Sequence, residues 1–235
     1  MPTSFGRKNK MPVTRVSVGL ASPDASSGVK LAANLPARLV DLRSPEVFCK
    51  GFIPGSFNVP DEQCVAAARR SGLFSGRATY LLADHPEQLQ LCWDPLDTWD
   101  GTEMAGWFGP DALDEWRRAS PELGSLEVIS ADTLTIRMAA WNTLVLDICD
   151  SGGGEWRNPS HPAALRFQLD ELPLSLDGLP EVSSICIVAG NNGLASYAAS
   201  LLWNFGFRKV SYLRLTASGP NPPGPWPPPL SGLRR

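Results

Sequence analysis

Two stretches of this chain carry nearly the same pattern 106 residues apart. "LVDLRSPEVFCKGFIPGSFNVPDEQ" (39–63) and "LVLDICDSGGGEWRNPSHPAALRFQLDEL" (144–172) each open with an apolar run that ends on an aspartate, Asp41 and Asp147. Each continues with a turn, an aromatic, a proline followed by small residues, and an Asp-Glu pair. A second apolar run follows at matching distance in both halves, "ATYLLAD" (78–84) and "SSICIVAG" (183–190). A repeat of about one hundred residues is a domain length, so the chain is expected to build one supersecondary pattern twice.

The pattern itself is legible. "ARLVDLR" (37–43), "ATYLLAD", "TLVLDIC" (143–149) and "SSICIVAG" are short and rich in Val, Ile and Leu, as strands buried on both faces are. "KVSYLRL" adds a further strand near the end. "DALDEWRRA" (111–119), "SADTLTIRMAA" (130–140) and "SYAASLLWNFGF" (196–207) read as helices, with Ser130 a candidate N-cap and Gly206 a natural stop. In the last of these, Tyr197, Ala198, Leu201, Leu202 and Phe205 fall on one face. Strands alternating with helices predict an α/β fold with two tandem domains, each a mostly parallel sheet with helices on both faces. The expected boundaries are a tail over 1–25, domains over 26–120 and 125–218, and a proline-rich tail over 219–235, with the divide near "RRASPELGSLE" (117–127).

Composition restricts the function classes. Of 235 residues, 43% are hydrophobic and 19% charged, enough for a buried core. A formal net charge of −3 argues against broad binding to nucleic acid or to an anionic membrane. No apolar run is long enough to span a bilayer, and Arg15 interrupts the apolar stretch that a leader would need. Five cysteines (Cys49, Cys64, Cys92, Cys149, Cys186) without a C-x-x-C predict reduced thiols in a cytoplasmic protein. Two histidines, His85 and His161, each before a proline, read as exposed turn residues, so no metal and no cofactor is expected. "SGGGEW" (151–156) follows a strand without opening a helix and reads as a surface loop rather than a phosphate site. "AGNNG" lacks the downstream strand and acidic residue of a dinucleotide fingerprint.

"LVDLRSPEVFCKGFIPGSFNVP" resembles the signature of the rhodanese family, and "PAALRFQLDELP" resembles the same stretch in a second copy. "AGWFGPDALDEW" is similar to the end of a first copy, and "SYAASLLWNFGFRKVSYL" to the helix and strand after a rhodanese active-site loop. The resemblance covers roughly 30–215. It looks most like the tandem rhodanese part that follows a metallo-hydrolase domain in some bacterial sulfur-metabolism proteins, although no H-x-H-x-D-H pattern occurs here.

The resemblance implies where sulfur chemistry would sit. Active members carry a cysteine that opens a loop between strand and helix and becomes a persulfide, with an Arg-Ser five and six residues on. Inward amides and the helix N-terminus favour the anion. Aligned on Ser196, the arginine position is Ala195, the internal glycine is Gly193 and the cysteine position is Gly190. The second loop is therefore Gly190, Asn191, Asn192, Gly193, Leu194, Ala195 and Ser196, predicted to curl ahead of a helix starting near Ser196. Its counterpart in the first half is Ala83, Asp84 and His85, where Asp84 would repel an anionic donor. The expectation is a binding or regulatory protein in sulfur or persulfide handling that lacks sulfurtransferase activity, its partners small sulfur anions or a protein. The alternatives are a sulfurtransferase using a displaced cysteine, Cys149 or Cys186, and an accessory subunit of a metallo-hydrolase.

Overall fold

The computed structural model describes residues 38–72, 75, 77–89, 103–119, 122–139, 143–149, 164–179 and 184–214. The predicted tails over 1–25 and 219–235, the "SGGGEW" loop, Cys92 and His161 lie outside the described residues.

The first half runs β1 (Arg38–Asp41), α1 (Pro45–Lys50), β2 (Ser56–Asn58), α2 (Glu62–Arg70), β3 (Ala78–Leu82), β4 (Glu103–Phe108) and α3 (Asp111–Ala119). The second runs β5 (Glu127–Ile129), α4 (Ala131–Ala139), β6 (Thr143–Cys149), β7 (Leu165–Gln168), α5 (Leu172–Ser175), a 3-10 turn (Leu176–Gly178), β8 (Ser184–Ala189), α6 (Asn192–Asn204) and β9 (Val210–Leu213). Two sheets result, ordered β2-β1-β3-β4 and β5-β9-β8-β6-β7, and every strand pair is parallel. The orders correspond term by term, β2 with β7, β1 with β6, β3 with β8 and β4 with β9, while β5 extends the second sheet at its far edge. Asp41 lies opposite Leu82 and Asp147 opposite Val188, the same separation along the chain. That register makes Asp84, rather than Ala83, the counterpart of Gly190.

Period-two alternation assigns each strand residue to a face. On the outer side of the first sheet, Leu39 and Leu82 meet Phe108 and the α3 residues Ala112, Leu113 and Trp116. On the outer side of the second, Val145, Cys186 and Val188 meet Leu134 of α4. The inner faces share one continuous core. It joins Val40, Phe48 and Phe57 of the first half to Leu146, Ile187 and Tyr212 of the second, with Leu194, Tyr197, Leu201 and Leu202 of α6 among them. Helix α6 contacts β2 of the first sheet as well as β8 and β9 of its own. Its uncharged sequence follows from that place, because a helix covered on all sides has no polar face to offer.

Two helix readings shift. Helix α6 begins at Asn192, four residues before the predicted start, because Asn191 takes an extended conformation and its side chain accepts the Leu194 amide. Phe205, expected on the buried face, is the C-cap residue and is 50% exposed. Gly206 then takes φ 103, a left-handed angle that suits glycine, and the chain turns toward β9. Helix α4 starts as expected, with Thr133 N–H donating to Ser130 Oγ at 3.2 Å.

Candidate functional site

The carboxyl ends of β1, β3 and β8 deliver the loops that the repeat singled out. After β1, Asp41 is fully buried and Arg43 4% exposed. Arg43 Nε donates to Asp41 Oδ1 at 2.9 Å and its Nη2 donates to Asp41 Oδ2 at 2.5 Å. Nη2 also donates to Gly51 O at 3.1 Å, fixing the end of α1. Burial pushes the Asp41 carboxyl up, and the Arg43 bonds pull against it. In the second half Cys149 stands where Arg43 does, and Asp147 finds its cation on the neighbouring strand instead, Arg166 Nη2 at 3.1 Å. The repeated aspartates thus keep a guanidinium partner by different routes, and both pairs brace structure.

In the first loop, Ala83 is fully buried and its N–H donates to Phe108 O at 3.1 Å. The Asp84 and His85 amides turn inward onto one atom, Gln88 Oε1, at 2.8 and 3.1 Å. Gln88 Nε2 donates to Leu42 O at 3.2 Å, which ties the loop to the end of β1. The place where two amides converge is therefore filled by the protein's own carboxamide oxygen.

The second loop differs from the predicted curl. Gly190 and Asn191 alone separate β8 from α6, and Asn192, Gly193, Leu194, Ala195 and Ser196 are already helix. Neither Gly190 nor Gly193 takes a positive φ, so the glycines do not serve a left-handed curl. Asn191 Oδ1 accepts from Leu194 N–H at 2.8 Å, and its Nδ2 donates to Gln63 Oε1 at 2.6 Å. Gly193 meets a different constraint: a Cβ there would come against Asp61 Oδ2, so that carboxylate would have to shift. Asp61 caps α2 through Cys64 N–H, which donates to Oδ1 at 2.8 Å, while its Oδ2 lies over the first turn of α6. Ala195 is 1% exposed, within the core, so the position aligned with an arginine does not face the loop. Ser196 is buried and donates to Asn58 Oδ1 at 2.5 Å.

These groups surround an open cavity of about 420 Å³, bounded by Leu42, Ser44, Pro45, Glu46, Pro60, Asp61 and Gln88 from the first half and by Asn191, Asn192 and Gly193 from the second. The two loops, 106 residues apart in sequence, thus reach one cavity through Gln88 and through Asn191–Gly193, whereas Asp84 and His85 do not line it. Asp61 and Gln88 escaped the sequence reading. Asp61 was legible only as part of the repeated Asp-Glu pair, and Gln88 carried no signal, since its role depends on a loop folding back on itself.

Solved structures match this chain at low identity. A thiosulfate sulfurtransferase from Pseudomonas aeruginosa is 19% identical, with 87% of this chain and 43% of that chain covered and a TM-score of 0.34. Wild-type EanB is 13% identical, with 80% and 56% covered and a TM-score of 0.34. An EanB variant in complex with hercynine is 15% identical, with 80% and 57% covered and a TM-score of 0.35. The chain spans about half the length of these proteins. No protein-family model matches the chain, and no curated protein matches it. At such TM-scores the chemistry has to be read from the residues themselves.

The residues offer no activated thiol among those described. Cys49, Cys64 and Cys186 are buried, and Cys149 is half-buried. Burial pushes the Cys186 thiol up to about 12, with a weaker opposing bond from Ser211. Burial likewise pushes Cys49 up to about 11, against the bond to Tyr212. Cys149 is raised by burial and then by the Asp147 carboxylate. Sulfur transfer needs the thiolate, and each of these shifts withholds it. Among the described residues no three His, Cys, Asp or Glu side chains are grouped to hold a metal ion, and no helix is long and apolar enough to cross a membrane.

Proposed function

We propose that the chain comprises two rhodanese-like units in tandem, over 26–120 and 125–218, that neither transfers sulfur, and that the protein acts by binding in sulfur or persulfide metabolism. The repeated motif and the matching strand orders support the tandem reading. One observation carries the loss of chemistry: neither loop holds a cysteine, and amides that could receive an anion are taken by the protein's own side chains, those of Asp84 and His85 by Gln88 Oε1 and that of Leu194 by Asn191 Oδ1. Gly190 and its counterpart Asp84 bring no sulfur to either place. The rival reading, transfer through Cys149 or Cys186, is opposed by the upward shift of both thiols.

A thiosulfate:cyanide assay on the purified protein tests this. The expected outcome is thiocyanate formation no faster than in buffer. Turnover that vanishes on Cys149→Ser or Cys186→Ser establishes the rival.

A further inference from the structure

The chain leaves its last strand beside the cavity. Every strand pair of the second sheet is parallel, so β6, β8 and β9 all end at one edge. Tyr212 of β9 pairs with Ile187 of β8, and Arg214, two residues on, therefore comes abreast of Ala189, just before Gly190. Arg214 N–H donates to Ile129 O at 3.0 Å, which pins the exit point to the sheet. At about 4.8 Å between strands and 3.3 Å per residue, Arg214 lies about 10 Å from Asn191 on the cavity wall.

The sequence beyond that point, 215–235, contains Arg234 and Arg235 but no Asp or Glu. Pro220, Pro223, Trp226 and Pro229 recur every third residue. That is the turn of a polyproline II helix, in which they share one edge. Such a segment is pre-organised, carries carbonyl acceptors and has few N–H donors. The cavity offers what it lacks. Leu42, Pro45 and Pro60 form an apolar wall, and Asn192 and Gly193 contribute the opening backbone of α6, the N–H end of a helix. The exposed Glu46 and the half-buried Asp61 are opposite in charge to the tail. Reach is sufficient: Leu215–Gly219 spans about 16 Å when extended, more than the gap.

We propose that the proline-rich segment over 219–235 lies back across the cavity of its own chain as a built-in ligand. Trp226 packs against Leu42, Pro45 and Pro60, proline carbonyls meet the first turn of α6, and the arginines turn toward Glu46 and Asp61. An outside ligand then has to displace the segment before it reaches the two loops. This inference does not depend on whether the loops transfer sulfur.

The test is NMR of the full chain, alone and as Trp226→Ala. The expected result is a set of NOEs from the Trp226 indole protons to Leu42, Pro45 and Pro60, which remain intramolecular in a mixture of labelled and unlabelled protein. In Trp226→Ala the amide shifts of Glu46, Asp61, Asn192 and Gly193 are expected to move, while those of β3 and β8 stay in place. A synthetic peptide of residues 219–235 is then titrated into both proteins. A tethered segment competes at an effective concentration in the millimolar range, so the peptide is expected to bind the full chain about tenfold more weakly than the Trp226→Ala variant. Absence of the NOEs, NOEs arising only between copies, unmoved shifts in the variant, or equal peptide affinity for the two proteins each overturns the proposal.

Discussion

Cys149 and Cys186 sit on adjacent parallel strands yet have different environments, and the difference is measurable. Cys186 points to the outer side of β8 among Ile129, Leu134 and Val188, fully buried, while Cys149 ends β6 beside Asp147 and is half-buried. Iodoacetamide at neutral pH is expected to modify Cys149 slowly in the folded protein, and to reach Cys49 and Cys186 only after denaturant is added. Peptide mass mapping resolves the sites, and early modification of Cys186 would contradict the packing described. The raised thiols also set a pH dependence. In the unfolded chain a thiol loses its proton near the ordinary value of 9.0, whereas Cys49 holds it to about 11 and Cys186 to about 12. The folded state then binds more protons, so stability falls as pH rises above about 9 and levels off beyond the folded values. The slope is about 1.4 kcal/mol per pH unit for each thiol. Denaturation midpoints between pH 8 and 11 check this, and Cys186→Ala is expected to flatten the fall.

Helix α6 does more than follow a loop. Asn58, at the end of β2, donates from Nδ2 to Asp41 O and Arg43 O at 3.0 and 2.9 Å. It also accepts from Ser196, and its own N–H donates to Ser200 Oγ at 3.1 Å. Asn204 Nδ2 donates to Ser56 O at 2.7 Å one turn further on. A strand of the first sheet is thereby bonded to a helix of the second half, at fully buried groups in Asn58, Ser196 and Ser200, which become costly when unpaired. Asn58→Ala strips partners from two backbone carbonyls and a buried hydroxyl, and is expected to cost about 2–4 kcal/mol. Asn191→Ala removes a single cap and is expected to cost about 1 kcal/mol. Urea denaturation of both variants ranks them, and a larger loss for Asn191→Ala would show that the buried network does not hold the halves.

At the level of the whole molecule, the shared core argues for one cooperative unit despite the repeat. Phe52 shows how closely the connection between halves is fitted: it stacks on Phe48 at 4.3 Å, meets Trp203 edge-on at 5.0 Å, and bridges Gly124 by backbone bonds in both directions. Gly124 has no room for a Cβ against that ring. Arg70 also reaches Asp170 across the halves at 3.3 Å. Unfolding of the full chain is expected to be a single transition, coincident by far-UV circular dichroism and tryptophan fluorescence, with β3 and β8 amides sharing one global exchange free energy. Two separated transitions would show that the halves are independent domains.

The sequence alone determined a good deal of this. The Val-, Ile- and Leu-rich runs over 37–43, 78–84, 143–149 and 183–190 contain β1, β3, β6 and β8, because a strand covered on both faces favours apolar residues at successive positions. Helices α3 and α4 lie where the sequence placed them, whereas β2 and β7, only 3 and 4 residues long, were not read as strands, since runs that short carry no periodicity of their own. The tertiary structure alone decided the site. Whether 190–196 curls or coils depended on the Asn191 side chain reaching Leu194, and Gly193 answered to Asp61, a residue 132 positions earlier. The repeat promised two equivalent halves, but placing α6 between two sheets made their inner faces one core. Local patterning reports which face of an element is dry; it carries no information about which distant side chain will lie against it.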